Sequence, residues 1–96
     1  MDRGKILKYL AANKSTFKEE FGVDSIGLFG SYARGKNTEE SDLDVVVEMT
    51  NPDMLELVGL KQKIEKDLGM KVDVVRIRDR MNHRLKKRIE RDAVYA

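Results

Sequence analysis

The feature that most limits how this chain can fold is the segment Asp42-Leu43-Asp44-Val45-Val46-Val47. A run of Leu and β-branched residues is the pattern of a central, buried strand, yet two carboxylates stand at its head. Strand side chains alternate with period two, so Asp42 and Asp44 project from one face while Leu43 points to the other. Close like charges repel and raise one another's pKa unless a cation neutralises them, and hard oxygen donors of this kind suit Mg²⁺ or Mn²⁺. A third carboxylate, Asp73, lies between Val72 and Val74, inside another apolar run, where an uncompensated charge is costly. If the two strands are neighbours, about 5 Å apart, Asp73 can join the pair. Three acids are enough to bridge two ions roughly 4 Å apart for an in-line phosphoryl displacement.

The remaining pattern supplies a frame for these strands. Ile6, Leu7, Leu10, Phe17 and Phe21 recur at helical spacing, which predicts helices over 2–12 and 15–21, the second capped by Ser15 or Thr16. Ser25–Phe29 alternates small and large residues and ends in Gly30, as a short buried strand does, and a helical turn is expected from Ser31. The acid-headed strand runs over 42–49. Asn51 and Pro52 then break the chain before an amphipathic helix over 54–68, closed by Gly69. A strand over 71–76 and a basic helix over 82–94 complete the order. Alternating strands and helices in 96 residues predict an α/β chain of the α+β type, one domain over 1–96 with helices packed on a small mixed sheet. The direction in which the strands pair is not readable from the pattern.

Composition excludes several chemistries. There is no Cys and a single His, which removes disulfide frameworks, zinc-thiolate and iron-sulfur sites, and cysteine nucleophiles. The lone His83 lies amid charges and reads as a surface residue. No apolar run approaches a membrane span and no signal-type segment opens the chain, so a cytoplasmic protein with no membrane partner is expected. The net charge of +2 favours no partner, but its distribution is uneven. Residues 36–67 hold nine acids and four bases, net −5, whereas 76–91 hold eight bases and two acids, net +6. An acidic segment suits divalent cations, and a basic one suits phosphates or an acidic surface.

Directly after the first strand comes Gly30-Ser31-Tyr32-Ala33-Arg34-Gly35. Gly30 permits close backbone approach, Ser31 offers a hydroxyl and an amide, and a helix start favours an anion. Gly30-Ser31, ten residues, then Asp42-Leu43-Asp44, with an acid on a later strand, resembles the minimal nucleotidyltransferase (MNT) family of the DNA polymerase β-like superfamily, whose signature is G-S-x10-D-x-D. The signature stands here without departure, and the order of elements matches over nearly the whole chain.

The resemblance implies a nucleotidyltransferase fold and a Mg²⁺-dependent enzyme, with Mn²⁺ as an alternative ion. It implies that Gly30 and Ser31 hold the triphosphate of ATP or another nucleoside triphosphate. Asp42 and Asp44 would ligate the metal, and Asp73 would complete the site and assist deprotonation of the attacking hydroxyl. Arg34 and Ser41 are further candidates for nucleotide contact. Family members transfer a nucleoside monophosphate and release pyrophosphate. Many minimal members resemble antitoxins of toxin-antitoxin pairs, silencing HEPN-domain RNase toxins by adding AMP to a toxin tyrosine. A chain of this length has no helical domain to hold a small acceptor, so a protein acceptor is expected. The rival readings are an antitoxin that neutralises its partner by binding alone, an enzyme acting on a small hydroxylated molecule, and a nucleic-acid-binding module. Direct nucleic-acid binding is disfavoured by the acid-rich middle and the near-neutral total. Arg84, Lys87, Arg88 and Arg91 can share a helix face, for partner docking or for nucleotide phosphate.

Overall fold

The computed structural model describes residues 2–96 and contains five helices and four strands among them. The first two helices, α1 (Arg3–Ala12) and α2 (Lys14–Phe21), are divided only by Asn13. Its N–H donates to the Tyr9 and Leu10 carbonyls, which end α1. The Asp2 carboxylate caps the start of α1 by accepting from Lys5 N–H at 2.9 Å, satisfying one of the donors that every helix start leaves free. Strand β1 (Ser25–Phe29) runs into the short helix α3 (Gly30–Ala33), and β2 (Leu43–Glu48) returns beside it.

Helix α4 (Met54–Leu68) is capped by Asp53, which accepts from Leu55 N–H at 2.8 Å. It carries the chain across the sheet to β3 (Val72–Arg76). Helix α5 (His83–Asp92) is capped by Asn82, and β4 (Val94–Tyr95) follows. The sheet order is β3-β2-β1-β4, with β1 antiparallel to β2 and β4, and β2 parallel to β3. The expected mixed sheet is therefore present. The parallel pair arises because α4 intervenes between β2 and β3 and reverses the chain's direction.

Two cores of unequal size lie on the two faces. Ile6, Leu10 and Phe17 from α1 and α2, with Leu60 and Ile64 from α4, pack on Ile26, Leu28, Val45 and Val47. Burying each such side chain contributes about 1.5–3 kcal/mol. The opposite face holds a smaller cluster of Phe29, Val46 and Ile89, with Leu85 and Ala93 beside it, and α5 covers it.

Three boundaries differ notably from the sequence pattern: α2 starts at Lys14 behind Asn13, which makes no side-chain cap, so Ser15 and Thr16 lie inside the helix rather than capping it. Asp42 lies just before β2, which starts at Leu43. The last helix stops at Asp92, because Val94 and Tyr95 pair with Leu28 and Gly27 of β1. Both are strand-favouring residues, and Gly27 admits them: a Cβ there would stand 2.7 Å from the Val94 carbonyl oxygen. No helix among the described residues is long and apolar enough to cross a membrane.

Candidate active site

The end of β1 and the starts of β2 and β3 meet at one end of the sheet. Phe29 is the partner of Asp44 across the antiparallel pair, and Asp44 is the partner of Asp73 across the parallel one. Alternation sends Leu43, Val45 and Val47 into the larger core, so Asp44 shares the opposite face with Val46 and Phe29. In register on the neighbouring strand, Asp73 takes that face too. Asp42 precedes the strand and is exposed, as is Asp73, whereas Asp44 is half-buried.

The electrostatics follow from that placement. Burial pushes the Asp44 carboxyl above the ordinary carboxylate range, and the charge on Asp73 pushes it further, with a smaller contribution from Asp42. Arg88 and Arg34 act in the opposite sense, so both guanidinium groups reach this carboxylate through space. Three acids and two cations thus share one end of the sheet.

Gly30 opens α3 with φ +74, a left-handed conformation that side chains disfavour. A Cβ at this position would run into Asp44 Oδ2, with Asp44 Cγ at 3.1 Å. The glycine therefore clears space for the Asp44 carboxylate itself, a contact that the sequence does not reveal. Ser31 follows in the first turn of α3, half-buried, while Tyr32 and Ala33 anchor the turn in the larger core. Arg3 of α1 donates to the Ala33 carbonyl at 2.8 Å and ties the turn from outside.

Arg34 ends α3 and lies 3.8 Å from Asp92 Oδ2, whose side chain is only 7% exposed. Asp92 also accepts two hydrogen bonds from Arg91, at 2.9 and 3.0 Å. Ser41 closes the turn before β2: its Oγ accepts from Thr38 N–H at 2.8 Å, and its own N–H donates to the Thr38 carbonyl at 3.1 Å. The structure thus brings Gly30, Asp44 and Asp73 together with Arg34 near them, sets Asp42 at the rim, and engages Ser41 in a turn. His83 is exposed at the start of α5.

Two residues gain importance beyond their sequence signal. Arg88 was one of several basic residues on a helix face, and only the docking of α5 through Ile89 sets it toward Asp44. Asp92, spaced i,i+4 from Arg88, is the acid that holds Arg34. An acid at the end of a helix otherwise rich in Arg and Lys is the one signal that could have drawn attention to it.

Among the described residues, no three His, Cys, Asp or Glu side chains converge as they stand to hold a metal ion. The donor chemistry nevertheless fits a hard divalent cation. Asp44 faces a second carboxylate across a strand pair, half-buried, with its proton affinity raised by burial and by two neighbouring acids. A bound cation relieves that repulsion.

Comparison with known proteins converges on one group. A family model described as "Nucleotidyltransferase domain" matches residues 11–96. The chain is 43% identical over 94 residues to a Methanocaldococcus jannaschii protein provisionally named a protein adenylyltransferase, covering 95% of this chain and 94% of that one. It is 37% identical over 92 residues to the protein adenylyltransferase MntA of Thermococcus cleftensis, covering 95% and 92%. Among solved structures, a chain provisionally described as a minimal nucleotidyltransferase superimposes with TM-score 0.80 at 33% identity, covering 98% and 95%. A complex of a tri-AMPylated Shewanella oneidensis HEPN toxin with its MNT antitoxin matches with TM-score 0.62 at 26% identity, covering 97% and 66%.

Proposed function

Because the chain belongs to the nucleotidyltransferase domain family, we propose that it transfers AMP from ATP to a hydroxyl of a partner protein, a tyrosine of a HEPN-domain RNase toxin, and serves as that toxin's antitoxin. The observation that carries the reading is the register of Asp44 against Asp73 across the parallel strands, beside the side-chain-free Gly30. Relatives named protein adenylyltransferases and the AMPylated toxin complex support the donor and the class of acceptor.

In this reading Gly30 and Ser31 receive the triphosphate at the turn into α3, where free N–H groups favour an anion. Arg34 and Arg88 face it from α3 and α5, supplying positive charge opposite the acids. Asp42, Asp44 and Asp73 would hold Mg²⁺, which when bound supplies a Lewis acid to the phosphoryl oxygens and to pyrophosphate as it leaves. Asp73 accepts the proton of the attacking hydroxyl as its oxygen bonds to the α-phosphorus. The bond from that phosphorus to the bridging oxygen breaks, and pyrophosphate departs with the electron pair. The exposed position of Asp73 lets an acceptor carried by another macromolecule reach it.

The test is direct. The chain is mixed with ATP, Mg²⁺ and the product of the adjacent reading frame, the place where the proposal expects the HEPN-domain toxin, and that product's intact mass is measured. Discrete additions of AMP are expected, lost on Tyr→Phe substitution of the modified toxin residue. A toxin that is neutralised on mixing yet never gains mass would establish a stoichiometric binder instead.

Arg88 provides a second check. Arg88→Ala is expected to weaken binding of a non-hydrolysable ATP analogue by about tenfold, the scale of one lost charge-assisted contact. Arg84→Ala, at an exposed position one turn earlier on the same helix, should change it less than about twofold. Calorimetric titration measures both, and equal effects would remove Arg88 from the site.

A further inference from the structure

The two edges of the sheet are treated differently. The outer edge of β1 is covered by β4, whereas β3 stands at the other edge with no strand beside it among the described residues. Which of its backbone groups face outward follows from two hydrogen bonds. Leu43 N–H donates to the Lys71 carbonyl at 3.0 Å, and Ile77 N–H donates to the Val47 carbonyl at 2.9 Å. In a parallel ladder alternate residues bond to the same neighbour, so Lys71, Asp73, Val75 and Ile77 turn their groups to β2. Val72, Val74 and Arg76 turn theirs outward. The Val72 N–H is satisfied by Glu65 Oε2 of α4 at 3.1 Å. Those of Val74 and Arg76 have no such partner among the described residues.

This open edge is the floor of a groove of about 440 Å³. Leu57 and Val58 of α4 line one side, and Met81 and Leu85 line the other. Lys61, Arg76 and Arg78 add three positive charges to the lining, against the single negative charge of Asp73. Asp73 also belongs to the candidate active site, so groove and site are continuous. An edge strand with free donors and acceptors between apolar walls is the arrangement to which an extended segment adds as a further strand.

We propose that this groove binds an extended segment of the acceptor protein, carrying apolar residues toward the walls and carboxylates toward Lys61, Arg76 and Arg78, as a fifth strand beside β3. The inference rests on the proposed protein-modifying reaction and specifies how its acceptor is held. A residue paired beside Asp73 shares its face of the sheet and lies about 5 Å away across the strand spacing. An acceptor hydroxyl at that position is delivered to the carboxylate that takes its proton. A second copy of this chain fits less well, because two copies paired edge to edge would bring their two sets of Lys61, Arg76 and Arg78 against each other.

Amide hydrogen exchange of ¹⁵N-labelled chain, alone and with the product of the adjacent reading frame tested above as the toxin, probes the groove directly. Exchange at the Val74 and Arg76 amides is expected to slow by about tenfold or more in the complex. In parallel, Val74→Pro removes an outward N–H at an edge position where proline breaks no internal ladder bond. It should raise the KM for the toxin by about tenfold. Arg78→Glu, at an exposed position, should raise it also and make it less salt-sensitive, and it keeps the test valid if the proline variant misfolds. Transfer to the toxin with unprotected Val74 and Arg76 amides would overturn the groove and leave the reaction standing. Protection without any transfer would overturn the reaction and uphold the groove. Protection in the chain alone that grows with its concentration would assign the groove to a second copy and overturn the proposal. Neither complex nor transfer would overturn both.

Discussion

Asp44→Asn is expected to abolish AMP transfer, by about a thousandfold or more, while raising the melting temperature of the cation-free protein. The activity loss follows from removing the half-buried carboxylate that faces Asp73 across the strand pair. Loss of one preorganised electrostatic group at a reacting centre commonly costs about 10²–10³ in rate, and here a metal position would be lost with it. Stability should move the other way. The folded state raises the Asp44 pKa through burial and through Asp73, so the ionised form is penalised on folding. That penalty is full above the folded pKa and fades as pH falls through it, because the folded state binds the proton more tightly than the unfolded chain. Asparagine keeps the shape without the charge. After allowing for solvent screening of a half-exposed group, the gain corresponds to about 2–4 °C at neutral pH, shrinking as the solution is acidified. Thermal melts in EDTA at neutral and acidic pH, with labelled-nucleotide transfer in Mg²⁺, measure both effects. An active variant, or one whose melting point falls, would contradict the assignment.

The second large effect is expected at Gly30. A Cβ at this position would enter the space that the Asp44 carboxylate occupies, at the turn where the proposed triphosphate is received. Gly30→Ala should therefore reduce transfer by about a hundredfold, against a few-fold for Ser31→Ala. It also incurs about 1–2 kcal/mol of backbone strain at φ +74. A double-mutant cycle separates the contributions. In an Asp44→Ala background the collision is relieved, and only the strain should remain in the melting temperature. An undiminished cost of Gly30→Ala in that background would show that the carboxylate is not what the glycine accommodates.

The sequence carried the parts of the site that depend on local spacing. Asp42, Asp44 and Asp73 stand out because acids interrupt apolar runs, and Gly30-Ser31 because it follows a strand. The helix ends at Gly22 and Gly69 adopt the left-handed closure that glycine favours. What remained hidden depends on which segments meet. Nothing in Leu43–Glu48 specifies an antiparallel partner on one side and a parallel one on the other, since both faces of the strand are apolar beyond Asp44. Val94 and Tyr95 continue a helical spacing from Leu85 and Ile89 well enough to hide their pairing with β1, which Gly27 makes room for. Arg88 is one of many basic residues until Ile89 docks α5 on the smaller core, and Asp92 acquires a role only once α3 and α5 are neighbours.

The small cluster of Phe29, Val46 and Ile89 also bears on the order in which the molecule is assembled. Strands β1 and β2 are joined through a short helix, and β2 reaches β3 through a single crossover, so these pairings close modest loops. Helix α5 and β4 must return across most of the chain to reach β1, a closure that costs more entropy and is rewarded by few apolar contacts. Late docking of this C-terminal unit is the expected folding order. The acids would then be gathered on the nascent sheet before Arg88 arrives to offset them. The last step of folding becomes the one in which opposite charges are brought together, and a divalent cation or a nucleotide present at that moment would act on the folding rate as well as on the finished protein.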